Sequence, residues 1–243
     1  MKTITKDIRE IIQDQTSIPD GWRGQVVIQD DNMTYVVWNE SSREALIVDP
    51  VKEDLDVLLS IATQELNGYR FLGVIDTHTH ADHLTCAADL AEKLSAPLIQ
   101  HQQSPSKKIH LRVSRDTSLS ASAGPLKLLV TPGHTGDCIT PIWGPFLFGG
   151  DMLLFGDTGR DDLPGGDPAE HWESLQKIKK HTPLNTLMLP GHDAEGGRTS
   201  SWGHQLEINP ALKQDKNSYI QDGGAWTGPA PKLLKESLYE NFK

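Results

Sequence analysis

Cysteine is scarce: Cys86 and Cys138 are the two thiols in 243 residues. A disulfide framework is therefore excluded as the source of stability, and a reducing compartment is the simpler expectation, although one bridge between the two stays open at this stage. Long apolar runs are missing as well. No stretch of about 18 apolar residues occurs, so no membrane span is expected. The opening residues Met1 to Glu10 lack the apolar segment of a secretory signal. Basic residues are in deficit, 23 Lys and Arg against 33 Asp and Glu, for a formal net charge of -10. Nucleic acid and anionic membrane surfaces both need a basic footprint, so neither is an expected partner. An anionic small molecule is not excluded, because a bound cation and one arginine can reverse the sign inside a pocket. Cytoplasmic placement is the resulting expectation.

What is present is a globular composition. Hydrophobic residues at 37% argue against wholesale disorder and suffice for a real core. Ile4, Ile8, Ile11 and Ile12 recur at helical spacing and predict an N-terminal helical extension over about 1–18. Runs at 25–28, 34–38 and 45–48, rich in β-branched residues, predict an antiparallel meander closed by Asp49-Pro50. Leu55, Leu58, Leu59 and Ala62 mark a helix that ends near Asn67-Gly68. A strand at 71–75, a helix through Ala87, Leu90, Ala91 and Leu94, and a strand at 97–100 form a unit of α/β character. Strands follow at 126–130, 146–148 and 186–189. The helix from Pro168 to His181 has Asp167 as its cap. Residues 101–124 read as a solvated loop with short strands. The segment from about 210 to 243 reads as a tail, rich in Gly and Pro at 223–231 and ending in a short Leu-bearing helix. No repeat or linker breaks the chain, so one domain over 1–243 is expected.

Strand-like runs lead into loops that carry metal-binding groups. The first loop holds His78, His80, Asp82 and His83; the others present His134, Asp151 and His192. A further loop, Gly156-Asp-Thr-Gly-Arg-Asp-Asp162, carries Arg160 and Asp162. Imidazole nitrogen and carboxylate oxygen are the ligands of zinc(II), iron(II) and manganese(II). Strand ends pointing one way bring distant loops to a common point, and glycine beside a ligand lets the backbone pass close. A lone histidine is usually an ordinary surface or core residue. Three histidines and an aspartate within six positions, followed by three more such loops, are not explained that way.

His-x-His-x-Asp-His at 78–83, Gly-His at 133–134, Gly-Asp at 150–151 and Gly-His at 191–192 resemble the ordered signature of the metallo-β-lactamase-fold superfamily. The resemblance implies an α/β fold: an αββα sandwich of two mixed sheets with helices outside and the site at the sandwich edge. Within the superfamily the chain looks most like the persulfide dioxygenases of the ethylmalonic-encephalopathy-protein type. The supporting segments include Ala45 to Pro50, Thr77 to Leu84, Thr131 to Thr135, Gly150 to Leu154, Gly159 to Asp162, Pro190 to Asp193 and Asn209-Pro210. In that family one iron(II) is held by residues matching His78, His134 and Asp151. His80, Asp82, His83 and His192 match second-metal or supporting positions, and Asp82, His83 and Arg160 are the implied catalytic residues. Arg160 and Asp162 match an element that helps organise the glutathione pocket. The implied reaction converts glutathione persulfide, O₂ and water to sulfite and glutathione, and a homodimer is expected. Thr158 stands where the family places a cysteine, and Asp161 also departs from the pattern.

The ligand set alone leaves a second function open. A glyoxalase II-like hydroxyacylglutathione hydrolase, or another hydrolase of the fold, would use all seven positions around two metals, with Asp151 bridging. A third reading, a binding fold without turnover, would require a lost ligand position, and none is lost.

Overall fold

Alternating β-branched residues build the first sheet of the computed structural model, which describes residues 3–162, 165–223, 237 and 239–241. Strands β1 (Thr3–Asp7), β2 (Trp22–Gln29), β3 (Asn32–Asn39) and β4 (Glu44–Val48) pair antiparallel in chain order. Strands β5 (Arg70–Ile75), β6 (Leu98–His101) and β7 (Leu111–Val113) continue the sheet in parallel. Asp30 takes φ +56° in the two-residue turn between β2 and β3, a conformation that tight hairpins need and Asp tolerates. The second sheet holds β8 (Thr117–Leu119), β9 (Leu126–Val130), β10 (Ile139–Trp143), β11 (Phe146–Gly150), β12 (Leu187–Pro190) and β13 (Ser200–Ser201). Its pairs are antiparallel except β11 with β12.

Both sheets are mixed, and each is covered on both faces. Val26, Ile28, Tyr35, Val37, Leu46 and Val48 pack inward against Leu128, Ile139, Phe146 and Phe148 of the other sheet. Because side chains alternate along a strand, Val27, Val36, Ala45 and Ile47 point the other way. They meet Leu58 of α1 (Leu55–Ser60) and Ala87, Leu90 and Ala91 of α2 (Ala87–Lys93). Burial on both faces explains why these strands read as nearly continuous apolar runs. On the far side Leu129, Leu147 and Met188 meet Leu175 and Ile178 of α3 (Pro168–His181) and Trp202 of α4 (Trp202–Ile208). The carboxylate of Asp167 accepts from Ala169 N–H at 2.7 Å and Glu170 N–H at 3.1 Å, with Pro168 at the first position, the cap expected for this helix. This is the αββα sandwich of the expected α/β class.

Two expectations are corrected, and one open question is closed. The N-terminal segment is not helical: β1 adds to the edge of β2, and only Ile8–Ile11 coils, as one 3₁₀ turn boxed by Asp7 and Glu10. The isoleucine spacing is real but spans only about two and a half turns, and the open edge of β2 offers more backbone bonds than so short an isolated helix could keep. The 210–243 segment is not wholly a tail, because α5 (Lys216–Gly223) buries Tyr219 and packs on α3. The Gly- and Pro-rich stretch and the Leu-bearing helix fall outside the described residues, apart from Gly223, Ser237 and residues 239–241. Cys86 and Cys138 are both free and buried, so no bridge joins them. None of the described helices is long and apolar enough to cross a membrane.

Candidate metal centre

Four loops leave the two sheets at one rim. The loop of His78, His80, Asp82 and His83 runs from β5 to α2, and His134 lies between β9 and β10. Asp151 follows β11 directly, and His192 follows β12. The rim is tied across the sheets: Ile139 N–H donates to Thr77 O at 2.7 Å, Tyr35 O–H to Pro190 O at 2.8 Å and Met33 N–H to Gly191 O at 2.9 Å. Close approach is built in at Gly191, where a Cβ would stand 2.6 Å from Asp151 Oδ1.

One donor atom each from His78, His134 and Asp151 lies within 4.8 Å of the other two. His134 Nδ1 is 2.6 Å from Arg160 O, and a carbonyl can only accept, so Nδ1 carries the proton and Nε2 keeps its lone pair. That Nε2 faces Asp151 Oδ2 at 3.5 Å, and His78 Nε2 faces the same oxygen at 3.9 Å. Two ligands about 2.1 Å from a shared ion stand roughly 3–4 Å apart, so the triad has the spacing of a metal site. Asp151 Oδ1 is buried without a hydrogen-bond partner among the described residues, as are His83 Nε2 and both ring nitrogens of His80. Orphaned buried acceptors are costly unless a cation satisfies them, so the donor set fits a metal. Burial and the neighbouring His80 push His78 down to about 3, which keeps its imidazole neutral and able to ligate. Burial would raise Asp151, but His192, His78 and His134 outweigh it and hold the carboxyl below its usual range.

His80 is placed differently. It belongs to two other groupings, with Asp82 and His83 and with Asp49 and Asp76. Its Nε2 is 3.2 Å from Asp49 Oδ1 and 3.8 Å from Asp76 Oδ1. Burial alone would lower it, but Asp49, Asp76 and Asp82 prevail and raise it to about 10. Asp49 and Asp76 were not anticipated as site residues. Asp49 binds Thr77 through N–H at 2.7 Å and O–H at 2.9 Å, and Asp76 binds Thr85 and Gln100. The sequence signal was there, since both end apolar strands at the root of the site, but each also reads as an ordinary turn residue. Asp82 Oδ2 holds His83 Nδ1 at 2.9 Å, and His192 Nε2 lies 3.4 Å from both Asp82 Oδ2 and Asp151 Oδ1. All seven sequence-predicted donor residues thus converge on one rim, with His78, His134 and Asp151 forming the open face.

Arg160 and Asp162 come together as a bidentate pair, with Nε to Oδ1 at 2.7 Å and NH2 to Oδ2 at 2.8 Å. The pair braces the loop whose Arg160 carbonyl orients His134. A cavity of about 650 Å³ opens over the triad and is walled by Thr158, Arg160, Ala211, Gln214, Tyr219 and Asp222. The last three come from α5 and the segment before it. His171, which sequence reasoning missed, is fully buried and spans two acceptors, Asp161 Oδ2 and Met152 O, each at 3.1 Å. It joins the Arg160 loop to the turn after Asp151. Its helical spacing with Ser174, Leu175 and Ile178 was the signal that places it on the inner face.

Comparison with known proteins agrees with this picture. The family model described as "Metallo-beta-lactamase superfamily" matches residues 29–220. Human "Persulfide dioxygenase ETHE1, mitochondrial" is 27% identical over 212 residues, covering 86% of this chain and 83% of the relative. A hydroxyacylglutathione hydrolase of Nitrosococcus oceani is 30% identical over 168 residues, covering 67% of this chain and 62% of the relative. The crystal structure of ETHE1 from Myxococcus xanthus superimposes with a TM-score of 0.80 at 28% identity, covering 88% of this chain and 94% of that one. Family match, sandwich and converging donors point the same way: the chain is a metal-dependent enzyme belonging to the metallo-beta-lactamase superfamily.

Proposed function

We propose that the protein is a persulfide dioxygenase that converts glutathione persulfide, O₂ and water to sulfite and glutathione at a single iron(II) held by His78, His134 and Asp151. The observation that carries this reading is the two-histidine, one-carboxylate face of His78, His134 and Asp151. Iron(II) held by these residues would supply redox chemistry toward O₂, which zinc(II) lacks. The protein's own residues orient and enclose. The Arg160 carbonyl fixes the His134 ring, and the Arg160–Asp162 pair holds that loop against the cavity. Asp82 fixes His83, and His192 stands beside Asp82 and Asp151. The cavity walled in part by α5 leaves room for a tripeptide-sized thiol. The similarity to persulfide dioxygenases over most of the chain supports the same reading.

One observation favours a second reading. The two oxygens of Asp151 face apart, Oδ2 toward His78 and His134 and Oδ1 toward His192, as a carboxylate bridging two metals would. That arrangement suits a thioester hydrolase. An oxygen electrode with anaerobically iron-loaded protein, run beside an S-lactoylglutathione hydrolysis assay and a metal determination, separates them. Oxygen uptake with glutathione persulfide at one iron per chain is expected. Thioester cleavage at two metals without oxygen uptake would establish the hydrolase instead. Asp151→Ala is expected to lose both metal retention and turnover, and turnover by a metal-depleted Asp151→Ala protein would overturn the assignment.

A further inference from the structure

The last described residue of the chain reaches back to the loop that carries four of the seven donors. Asn241 Nδ2 donates to His80 O at 3.1 Å and to His83 O at 3.0 Å. Asn241 Oδ1 accepts from Thr85 N–H at 3.0 Å. One carboxamide thus satisfies three backbone groups of a six-residue stretch that lies outside helix and sheet, across sequence separations of 156 to 161 residues. Backbone groups in an irregular buried loop need partners from elsewhere. Only a carboxamide offers two N–H donors and an acceptor from one short side chain.

The surroundings make this a fixed clamp. Asn241 N–H donates to Ser237 O at 2.9 Å, and Ser237 is fully buried, so a closed turn presents the amide. At the other end of the loop Thr77 is held by Asp49. Thr85 Oγ1 donates to Asp76 Oδ1 at 2.8 Å and accepts from Ala87 N–H at 3.0 Å, which locks the loop to the start of α2. Between these anchors lie His78, His80, Asp82 and His83. The Leu84 carbonyl is held by Lys52 N–H, and the carbonyls of His80 and His83 are held by Asn241.

We infer that Asn241 is a positioning residue for the metal centre, its carboxamide setting the loop backbone at the spacing that lets the imidazoles share a cation. The inference rests on the metal-site reading and is independent of whether the reaction is oxygenation or hydrolysis.

The test uses the full chain and two variants. Asn241→Ala removes all three bonds. Asn241→Asp keeps the acceptor for Thr85 N–H but turns a carboxylate oxygen toward two carbonyls. Zinc(II) affinity is measured by competition with a chromophoric chelator, and site geometry by the visible spectrum of the cobalt(II) form. Asn241→Ala is expected to weaken zinc binding about tenfold, and Asn241→Asp further, toward about a hundredfold, the range found when partners orienting metal ligands are removed. Both should shift the cobalt bands. Wild-type zinc affinity and cobalt spectrum in both variants, with only a lower melting temperature, would overturn the inference and leave Asn241 a merely structural contact. Should neither variant fold, amide exchange in the wild-type protein decides: Thr85 N–H is expected to exchange slowly, and exchange at the rate of an open loop would overturn the clamp. Failure of the wild-type chain to bind zinc or cobalt would instead sink the metal site itself.

Discussion

Gly159→Ala is the sharpest single probe of the site, because it adds one methyl group between two proposed ligands. Gly159 N–H donates to Asp151 O at 2.8 Å, which brings the two backbones together. A Cβ at position 159 would stand 2.1 Å from Asp151 O and 3.1 Å from His134 Nδ1. Real Cβ contacts do not fall below 3.0 Å, so the pair must open by at least 0.9 Å (3.0 minus 2.1). The backbone at 159 is not left-handed, so alanine carries no conformational penalty of its own and the perturbation is purely steric. Metal–ligand distances tolerate about 0.2 Å, far less than this displacement. Overpacking of this kind costs about 1–3 kcal/mol of stability. The larger effect falls on the site: a misplacement of about 1 Å costs on the order of a hundredfold in turnover, and disturbed ligand support about 10–100-fold in metal affinity. Zinc competition titration and the oxygen-uptake assay measure the two losses. Gly136→Ala is the matched control, since it lies two residues beyond His134 and its Cβ would meet nothing nearer than 3.6 Å. Metal affinity and turnover at wild-type levels in Gly159→Ala would refute the placement of Asp151 and His134 around a common ion.

Two further outcomes test the fold, one at the far end of the first sheet and one beside the site. Glu44 accepts from Ser122 N–H and Ala123 N–H, each at 3.0 Å, and pairs with Arg70. Burial would raise this carboxyl, but those bonds outweigh it and bring it down to about 2. Because the folded value is depressed, its stabilisation is present above the ordinary value near 4.5 and is lost as pH falls through about 2. Arg70 is largely exposed and screened, so Glu44→Gln is expected to cost about 2 kcal/mol near pH 7, less than the full shift implies, and clearly less near pH 3. Urea unfolding at the two pH values reads this, and an equal cost at both would remove the linkage. Burial raises the Cys86 and Cys138 thiols well above their usual range, so neither should react with a thiol reagent in the native protein, whereas both should on unfolding. Rapid native labelling of Cys138 would show that the His134 loop opens.

The donor residues were legible because each stands in a loop that leaves the end of a rigid strand, with glycine beside His134, Asp151 and His192, so sequence position nearly determines place in space. The same holds for α3, whose aspartate cap and first-position proline act within one turn of chain. Other features depend on neighbours that no local pattern names. β1 is a strand because β2 offers an edge, and its isoleucines alone suggest a helix. β10 was hidden by Pro141, which ordinarily argues against an interior strand. The structure accommodates it because β11 pairs only with Ile142 and Trp143, leaving Pro141 beyond that ladder. Asp49, His171 and Asn241 act on the site from outside its loops, and Asp76 from the root of the His78 loop, through bonds to backbone or to other side chains. Such roles are set by tertiary contact and leave little mark on composition or periodicity.

The site and the sandwich are one construction. His78 to His83 extend from the first sheet, whereas His134, Asp151 and His192 extend from the second. The hydrogen bonds from Ile139 to Thr77, Tyr35 to Pro190 and Met33 to Gly191 cross between the sheets at this same rim. A cation shared by His78, His134 and Asp151 would therefore fasten the two sheets where their apolar packing gives way to polar loops. Its binding free energy would appear partly as sheet-to-sheet stability, since ligands that converge only in the folded state couple metal affinity to folding. That coupling gives a physical reason for the dense polar support beneath the loops. Asp49, Asp76 and the Arg160 carbonyl hold the imidazoles in place before any metal arrives, so that less ordering has to be offset when it does.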